Sequence, residues 1–177
     1  MELETICLGE LETNCYIVSL DKKCLIIDPA TDANFLIKKI EELGVVPVGI
    51  LITHNHFDHI GAVKELIEFF SINAYDYNTL FEQKHFLDPF KFQAIYTPGH
   101  TKDSVTYYFY EYGIMFTGDF LFKETVGRTD LDTGSFSDML KSIEKIKTFD
   151  ENIKVYPGHG ESTTLKNEFF ENPYFAK

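Results

Sequence analysis

The chain has 177 residues, 44% of them hydrophobic, which is enough apolar mass for one core-forming domain spanning 1–177. Its formal charge of −12 excludes a nucleic-acid groove, which needs a basic stripe. No apolar run is long enough to cross a bilayer, which excludes a helical membrane protein.

The acidic opening, MELETICLGELE, lacks a basic-then-apolar leader, so the expected location is cytoplasmic. TICLGE, NCYIVSL and KCLIIDPA are short and rich in β-branched and aromatic residues, which predicts a meander of strands. They carry the three cysteines, Cys7, Cys15 and Cys24, which form no CxxC pair and are expected as reduced, packed thiols. TDANFLIKKIEELG then predicts a helix that Asp32 caps and Gly44 ends, with Leu36, Ile37, Ile40 and Leu43 on one face. VVPVGILIT reads as a buried strand, and Ile60, Val63, Ile67 and Phe70 repeat at helical spacing after it, with Leu66 widening the stripe.

The second half repeats this grammar. Residues 77–92 give no firm pattern, and His85 within them is expected to be an ordinary loop or surface residue. FQAIYT, SVTYYFY and GIMFTG read as strands, and SFSDMLKSIEKIKTF as a helix with Phe136, Met139, Leu140, Ile143 and Ile146 turned inward. IKVYPG is one more strand, and a short helix is expected from Thr163 or Thr164. Strands in groups with helices after each group predict an α/β, layered (α+β) architecture in which helices cover two packed sheets.

Between the buried strand and its helix lies THNHFDHIG, which places His54, His56, Asp58 and His59 in one turn of a chain with 6 histidines. Clustered imidazoles are electrostatically awkward when protonated, so a solvated polar loop is a poor explanation and metal ligation a good one. TPGHT, TGDFLF and YPGHG deliver His100, Asp119 and His159, each after a predicted strand and beside a glycine. Together these exceed the ligands of one tetrahedral ion and suit two. Mixed imidazole and carboxylate donors favour zinc first, with iron or manganese as alternatives, over calcium or magnesium.

The His-x-His-x-Asp-His turn, with IIDPA before it and the His100, Asp119 and His159 segments after it, resembles the metallo-β-lactamase superfamily. The resemblance implies a four-layer αββα sandwich with the metals at one edge. It also implies His54, His56 and His100 on a first ion, Asp58, His59 and His159 on a second, and Asp119 between them. NCYIV and GDFLFKETVGRTDL look most like glyoxalase II (hydroxyacylglutathione hydrolase) and its short, single-domain relatives. That likeness implies cleavage of glutathione thioesters such as S-D-lactoylglutathione by a metal-bridging hydroxide. The chain ends soon after His159, so the helical C-terminal domain of the long form is expected to be absent, and Gly160 stands where that form commonly has Glu.

Two divalent ions with Asp58, Asp119 and a hydroxide leave a small local positive charge in an acidic protein, which suits an anionic substrate. Asp58 is a candidate for orienting the hydroxide, and Asp28 for holding a ligand imidazole from behind. Arg128, the only arginine, is the first candidate cation for a glutathione carboxylate and Lys123 a weaker one; Tyr16 is a candidate for packing against substrate. Two alternatives from the same superfamily are an iron-dependent persulfide dioxygenase and a lactone or β-lactam hydrolase. No nucleic-acid or membrane partner is expected. A self-contained pocket and one completed by a second copy in a homo-oligomer both agree with the sequence.

Overall fold

The computed structural model describes residues 1–175. Its first sheet begins as the predicted meander: β1 (Glu2–Leu8), β2 (Thr13–Leu20) and β3 (Lys23–Ile27) pair antiparallel. The chain then crosses over through α1 (Ala33–Leu43), because β4 (Val46–Leu51) joins β3 in parallel and a tight hairpin cannot make that connection. The Asp32 carboxylate accepts from the Phe35 amide at 3.1 Å, and Gly44, at φ 65°, closes the helix through the Ile40 and Glu41 carbonyls. Two short helices follow, α2 (Phe57–Ile60) and α3 (Val63–Phe70), and β5 (Ala74–Tyr75) completes the order β1-β2-β3-β4-β5.

The second sheet holds β6 (Lys84–Leu87), β7 (Phe90–Tyr96), β8 (Val105–Phe109), β9 (Ile114–Gly118), β12 (Lys154–Pro157) and β13 (Thr163–Thr164), in the order β13-β12-β9-β8-β7-β6. A small hairpin, β10 (Leu121–Phe122) and β11 (Thr125–Val126), projects after β9, and α4 (Phe136–Ile146) leads back to β12. After β13 come α5 (Leu165–Glu171), capped by Thr164, and a 3₁₀ turn at Pro173–Phe175.

Strand alternation sorts the layers. Cys15 and Ile17 of β2 and Cys24 and Ile26 of β3 face Leu36, Ile40 and Leu66 of the helices, whereas Tyr16, Val18, Leu25 and Ile27 face the other sheet. There they meet Phe90, Phe92, Tyr107, Phe109 and Phe116, an aromatic layer in which Phe92 stacks on Phe109 at 5.5 Å. On the far side, Ile95, Met115 and Val155 pack under Met139, Ile143 and Ile146 of α4. The result is the helix–sheet–sheet–helix order that the sequence resemblance implied.

Four expectations need correction. Phe136 and Leu140 of α4 are 50% and 42% exposed, because the inward stripe runs through Met139, Ser142, Ile143 and Ile146. Ser142 has a use there, since its hydroxyl donates to the Pro98 carbonyl at 2.7 Å. The helix read over Ile60–Phe70 is broken at Gly61 and Ala62, where the backbone passes so close to the Ala30 carbonyl that a Cβ on Gly61 would lie 2.2 Å from its oxygen. Leu66 is therefore the fully buried member of that stripe, and Ile60, Val63, Ile67 and Phe70 pack at its margin. Cys7 is exposed, because β1 is an edge strand with alternate side chains in solvent. His85 lies in β6 rather than in a loop; its ring stacks on Phe92 and its Nε2 is 2.8 Å from the Phe81 carbonyl.

Candidate metal centre

Four strand ends open on the same edge of the sandwich. The turn after β4 carries His54, His56, Asp58 and His59, the last two within α2; the turns after β7, β9 and β12 carry His100, Asp119 and His159. Strand ends are good anchors because the ladder fixes where each turn begins. Close approach at this edge also dictates glycine at position 158: a Cβ there would lie 2.2 Å from Asp119 Oδ1 and 2.7 Å from His59 Cε1.

The ligand atoms fall into three overlapping sets, each within 4.8 Å: His54, His56 and His100; His54, His59 and Asp119; and Asp58, His59 and His159. His56 Nδ1 is 3.0 Å from both His54 Nε2 and His100 Nε2. Asp119 spans the sets, with Oδ1 3.3 Å from His59 Nε2 and Oδ2 3.5 Å from both His100 Nε2 and His159 Nε2. Asp58 Oδ2 is 3.4 Å from His159 Nε2 and 3.5 Å from His59 Nε2.

These residues fit a metal on two observations. His59 Nε2 and Asp119 Oδ1 are buried and make no hydrogen bond with any partner among the described residues, and such orphaned atoms are expensive unless something ligates them. Several imidazoles are also engaged at the nitrogen that points away from the cluster. His59 Nδ1 sits 2.9 Å from Asp28 Oδ2, His100 Nδ1 2.8 Å from the Arg128 carbonyl, and His159 Nδ1 2.9 Å from the Leu11 carbonyl. In the neutral ring each such bond places the proton on Nδ1 and leaves the Nε2 lone pair facing inward.

The supporting shell reaches far in sequence. Asp28 Oδ1 accepts from the Thr53 amide at 2.7 Å, and Oδ2 accepts from the Thr53 hydroxyl at 2.6 Å as well as facing His59. The Thr13 hydroxyl donates to Asp58 Oδ2 at 3.0 Å. The Asn14 amide donates to the carbonyls of Pro157 and Gly160, so it grips the His159 turn on both sides. Sequence reasoning missed Thr13 and Asn14 in these parts, because only tertiary contacts, the isolated bridge between Thr13 and His159 and the bond from the Asn14 amide to the Gly158 carbonyl among them, bring the start of β2 to the end of β12.

Electrostatics follow from this packing. Burial, aided by His59, holds His54 well below the usual imidazole range. Burial alone would lower His59 too, but Asp28 and Asp119 outweigh it and push its pKa up to about 10. Burial would raise Asp119, yet the imidazoles of His159 and His59 beside its carboxylate hold it far below the carboxylate range.

The remaining candidates are placed differently. The Arg128 guanidinium makes a two-pronged pair with Asp130 at 2.7 and 2.8 Å, with its side chain 62% exposed; its backbone carbonyl is the part that touches the centre, through His100. Lys123 pairs with Glu161 at 2.6 Å. Tyr16 is buried in the inter-sheet layer against Phe116, and its hydroxyl donates to the Pro157 carbonyl at 2.6 Å. Two cavities flank the cluster. One, of about 480 Å³, is lined by Leu8, Leu11, Ala30 and Phe57 and borders Asp58; the other, of about 550 Å³, is polar and borders His56.

A histidine–aspartate cluster at the edge of an αββα sandwich defines a class of metal-dependent enzymes. The chain belongs to the metallo-β-lactamase superfamily, whose family model matches residues 8–79 and 69–159. It is 34% identical to a probable metallo-hydrolase, YqgX, of Bacillus subtilis, with 94% of this chain and 93% of that one covered. It is 31% identical to the hydroxyacylglutathione hydrolase GloC of Haemophilus influenzae over 98% of each chain. Among solved structures, the BLEG-1 B3 metallo-β-lactamase superposes with a TM-score of 0.96 at 33% identity, covering 99% of this chain and 100% of that one. TTHA1623 in a di-iron-bound form gives 0.89 at 30% identity, covering 97% and 99%. Among the described residues, no helix is long and apolar enough to cross a membrane.

Proposed function

We propose that this chain, acting as one domain over residues 1–177, is a dinuclear metallohydrolase that cleaves glutathione thioesters such as S-D-lactoylglutathione. The observation that carries the reading is the donor set: three overlapping groups at one edge, with Asp119 presenting an oxygen to each side. His54, His56 and His100 would hold one ion, Asp58, His59 and His159 the other, and Asp119 would lie between them. Zinc is the first candidate and iron the second. Such a pair supplies a water acidic enough to ionise near neutral pH and a Lewis acid for a carbonyl.

The chain's own residues supply the rest. The Thr13 hydroxyl occupies one lone pair of Asp58 Oδ2, which fixes the carboxylate plane and lets it orient a nucleophile's proton. Asp28 anchors both Thr53 and His59, so the first turn cannot rotate away from the centre. Burial of His54 and His59 excludes bulk water from one side of the cluster. A leaving thiolate has a pKa of roughly 8.5, so it departs without a strong general acid, and these turns offer none beyond the ligands. Similarity to GloC supports the thioester and the glutathione-derived leaving group.

The test is turnover of S-D-lactoylglutathione by zinc-loaded, iron-loaded and metal-free protein, with His54→Ala as control. Metal-dependent thioester loss that vanishes in the variant is the expected result. If no metal-loaded form turns the thioester over, the reading fails. Oxygen uptake with glutathione persulfide by the iron form would then replace it with the dioxygenase reading.

A further inference from the structure

The proposed substrate is charged mainly on its thiol half, so some part of this acidic protein must receive carboxylate. Arg128 and Lys123 already have carboxylate partners of their own, Asp130 and Glu161. The apolar cavity beside Asp58 is no better, since it contains no cation and adds Glu10 to its wall. The cavity that borders His56 contains Lys102, which makes no ion pair among the described residues. Lys102 follows His100 by two positions, and its backbone amide donates to Thr133 Oγ1 at 3.3 Å, which ties it to the facing wall.

The same cavity is not a plain anion site. Asp103 lines it, but one of its oxygens accepts from Asn55 at 2.8 Å. Asp132 also lines it and has neither a cation nor a hydrogen-bond donor on its side chain among the described residues. One free lysine and one free carboxylate in a pocket that His56 borders suit a group carrying both charges. We propose that this cavity binds the zwitterionic end of the thiol half, an α-amino acid group, with Lys102 receiving its carboxylate and Asp132 its ammonium. This rests on the thioester reading above and adds to it where the leaving group lies: on the His56 side, with the acyl group turned toward Leu11 and Phe57. Lys102 and Asp132 are then specificity residues that touch substrate away from the reacting atoms.

The experiment pairs two thioesters and one binding measurement on the metal-loaded protein. S-D-lactoylglutathione carries the zwitterion; S-lactoyl-N-acetylcysteamine has the same acyl group and no charge. Lys102→Glu should raise KM for the first about tenfold or more, as expected for a lost charge-assisted hydrogen bond, and leave the second unchanged. Asp132→Asn should move it in the same direction. Lys166→Glu, the same charge change on α5, should move neither. Calorimetry with S-methylglutathione, which is not hydrolysed, should show about tenfold weaker binding to Lys102→Glu, with or without metal. Equal effects on both thioesters, or unchanged KM and binding in Lys102→Glu, would overturn the proposal, as would failure of S-methylglutathione to bind the unaltered protein. Absent turnover of either thioester would sink the hydrolase reading alone, because the binding arm still decides whether Lys102 and its cavity recognise the zwitterion.

Discussion

At the scale of single residues, the metal turn was the most legible feature of the chain, because four donors in six positions have no comfortable structural alternative. Their supports were not legible in the same way. Asp28 stood out only through its place before the turn, whereas Thr13 and the Leu11 carbonyl reach the centre by tertiary contact that no local pattern records. Asp28 is buried at φ 49°, a backbone conformation that aspartate tolerates better than most residues, and its side chain serves three donors. Asp28→Asn keeps its shape and removes its charge. Metal affinity should then fall about 10- to 100-fold, as for other lost outer-shell partners, read by chelator competition with metal-content analysis. The cysteines give a second prediction. Burial pushes the Cys24 thiol up to about 12 and Cys15 higher still, so neither forms appreciable thiolate near neutral pH. Iodoacetamide at pH 8 should label only exposed Cys7 in the native protein and all three after denaturation, read by peptide mass analysis.

At the scale of elements, strands were easier to read than the packing of helices. Short β-branched runs declare themselves, but the inward face of α4 differs by a fraction of a turn from the most apolar face, and Ser142 rather than Leu140 was needed inside. Glu168 is the extreme case. On sequence it is one more charge on a short helix; in the structure it is fully buried and accepts from the Glu124 amide, Thr163 Oγ1, Asn167 Nδ2 and Asn172 Nδ2 at 2.7–3.1 Å. It thereby ties α5 to the turn of the β10–β11 hairpin, and Asn172 adds a bond to the Thr125 carbonyl. Glu168→Ala would leave several buried donors unanswered. A loss of about 3 kcal/mol is expected, measured as a lower midpoint in urea with an unchanged slope.

At the scale of the whole molecule, the layer order was legible because strand groups and helices alternate in the chain. Which strand ends converge was not, since that depends on parallel pairing of β3 with β4 and of β12 with β9. The convergence has a thermodynamic consequence. His54, His56, Asp58 and His59 hang from the first sheet and His100, Asp119 and His159 from the second, so bound ions would staple the two sheets together. An ion that binds only the folded state adds about 4 kcal/mol at a thousandfold excess over its dissociation constant. Zinc should therefore raise Tm by several degrees over chelator-treated protein, followed by calorimetry, and His159→Ala should shrink that gain. The antiparallel bridge from Thr13 to His159 adds a point about timing. A chain emerging from the ribosome exposes the His54–His59 turn early, but the full donor set waits for His159 in the turn after β12. Cation selection thus falls to the finished protein and to whatever ion its surroundings offer then, rather than to the nascent chain.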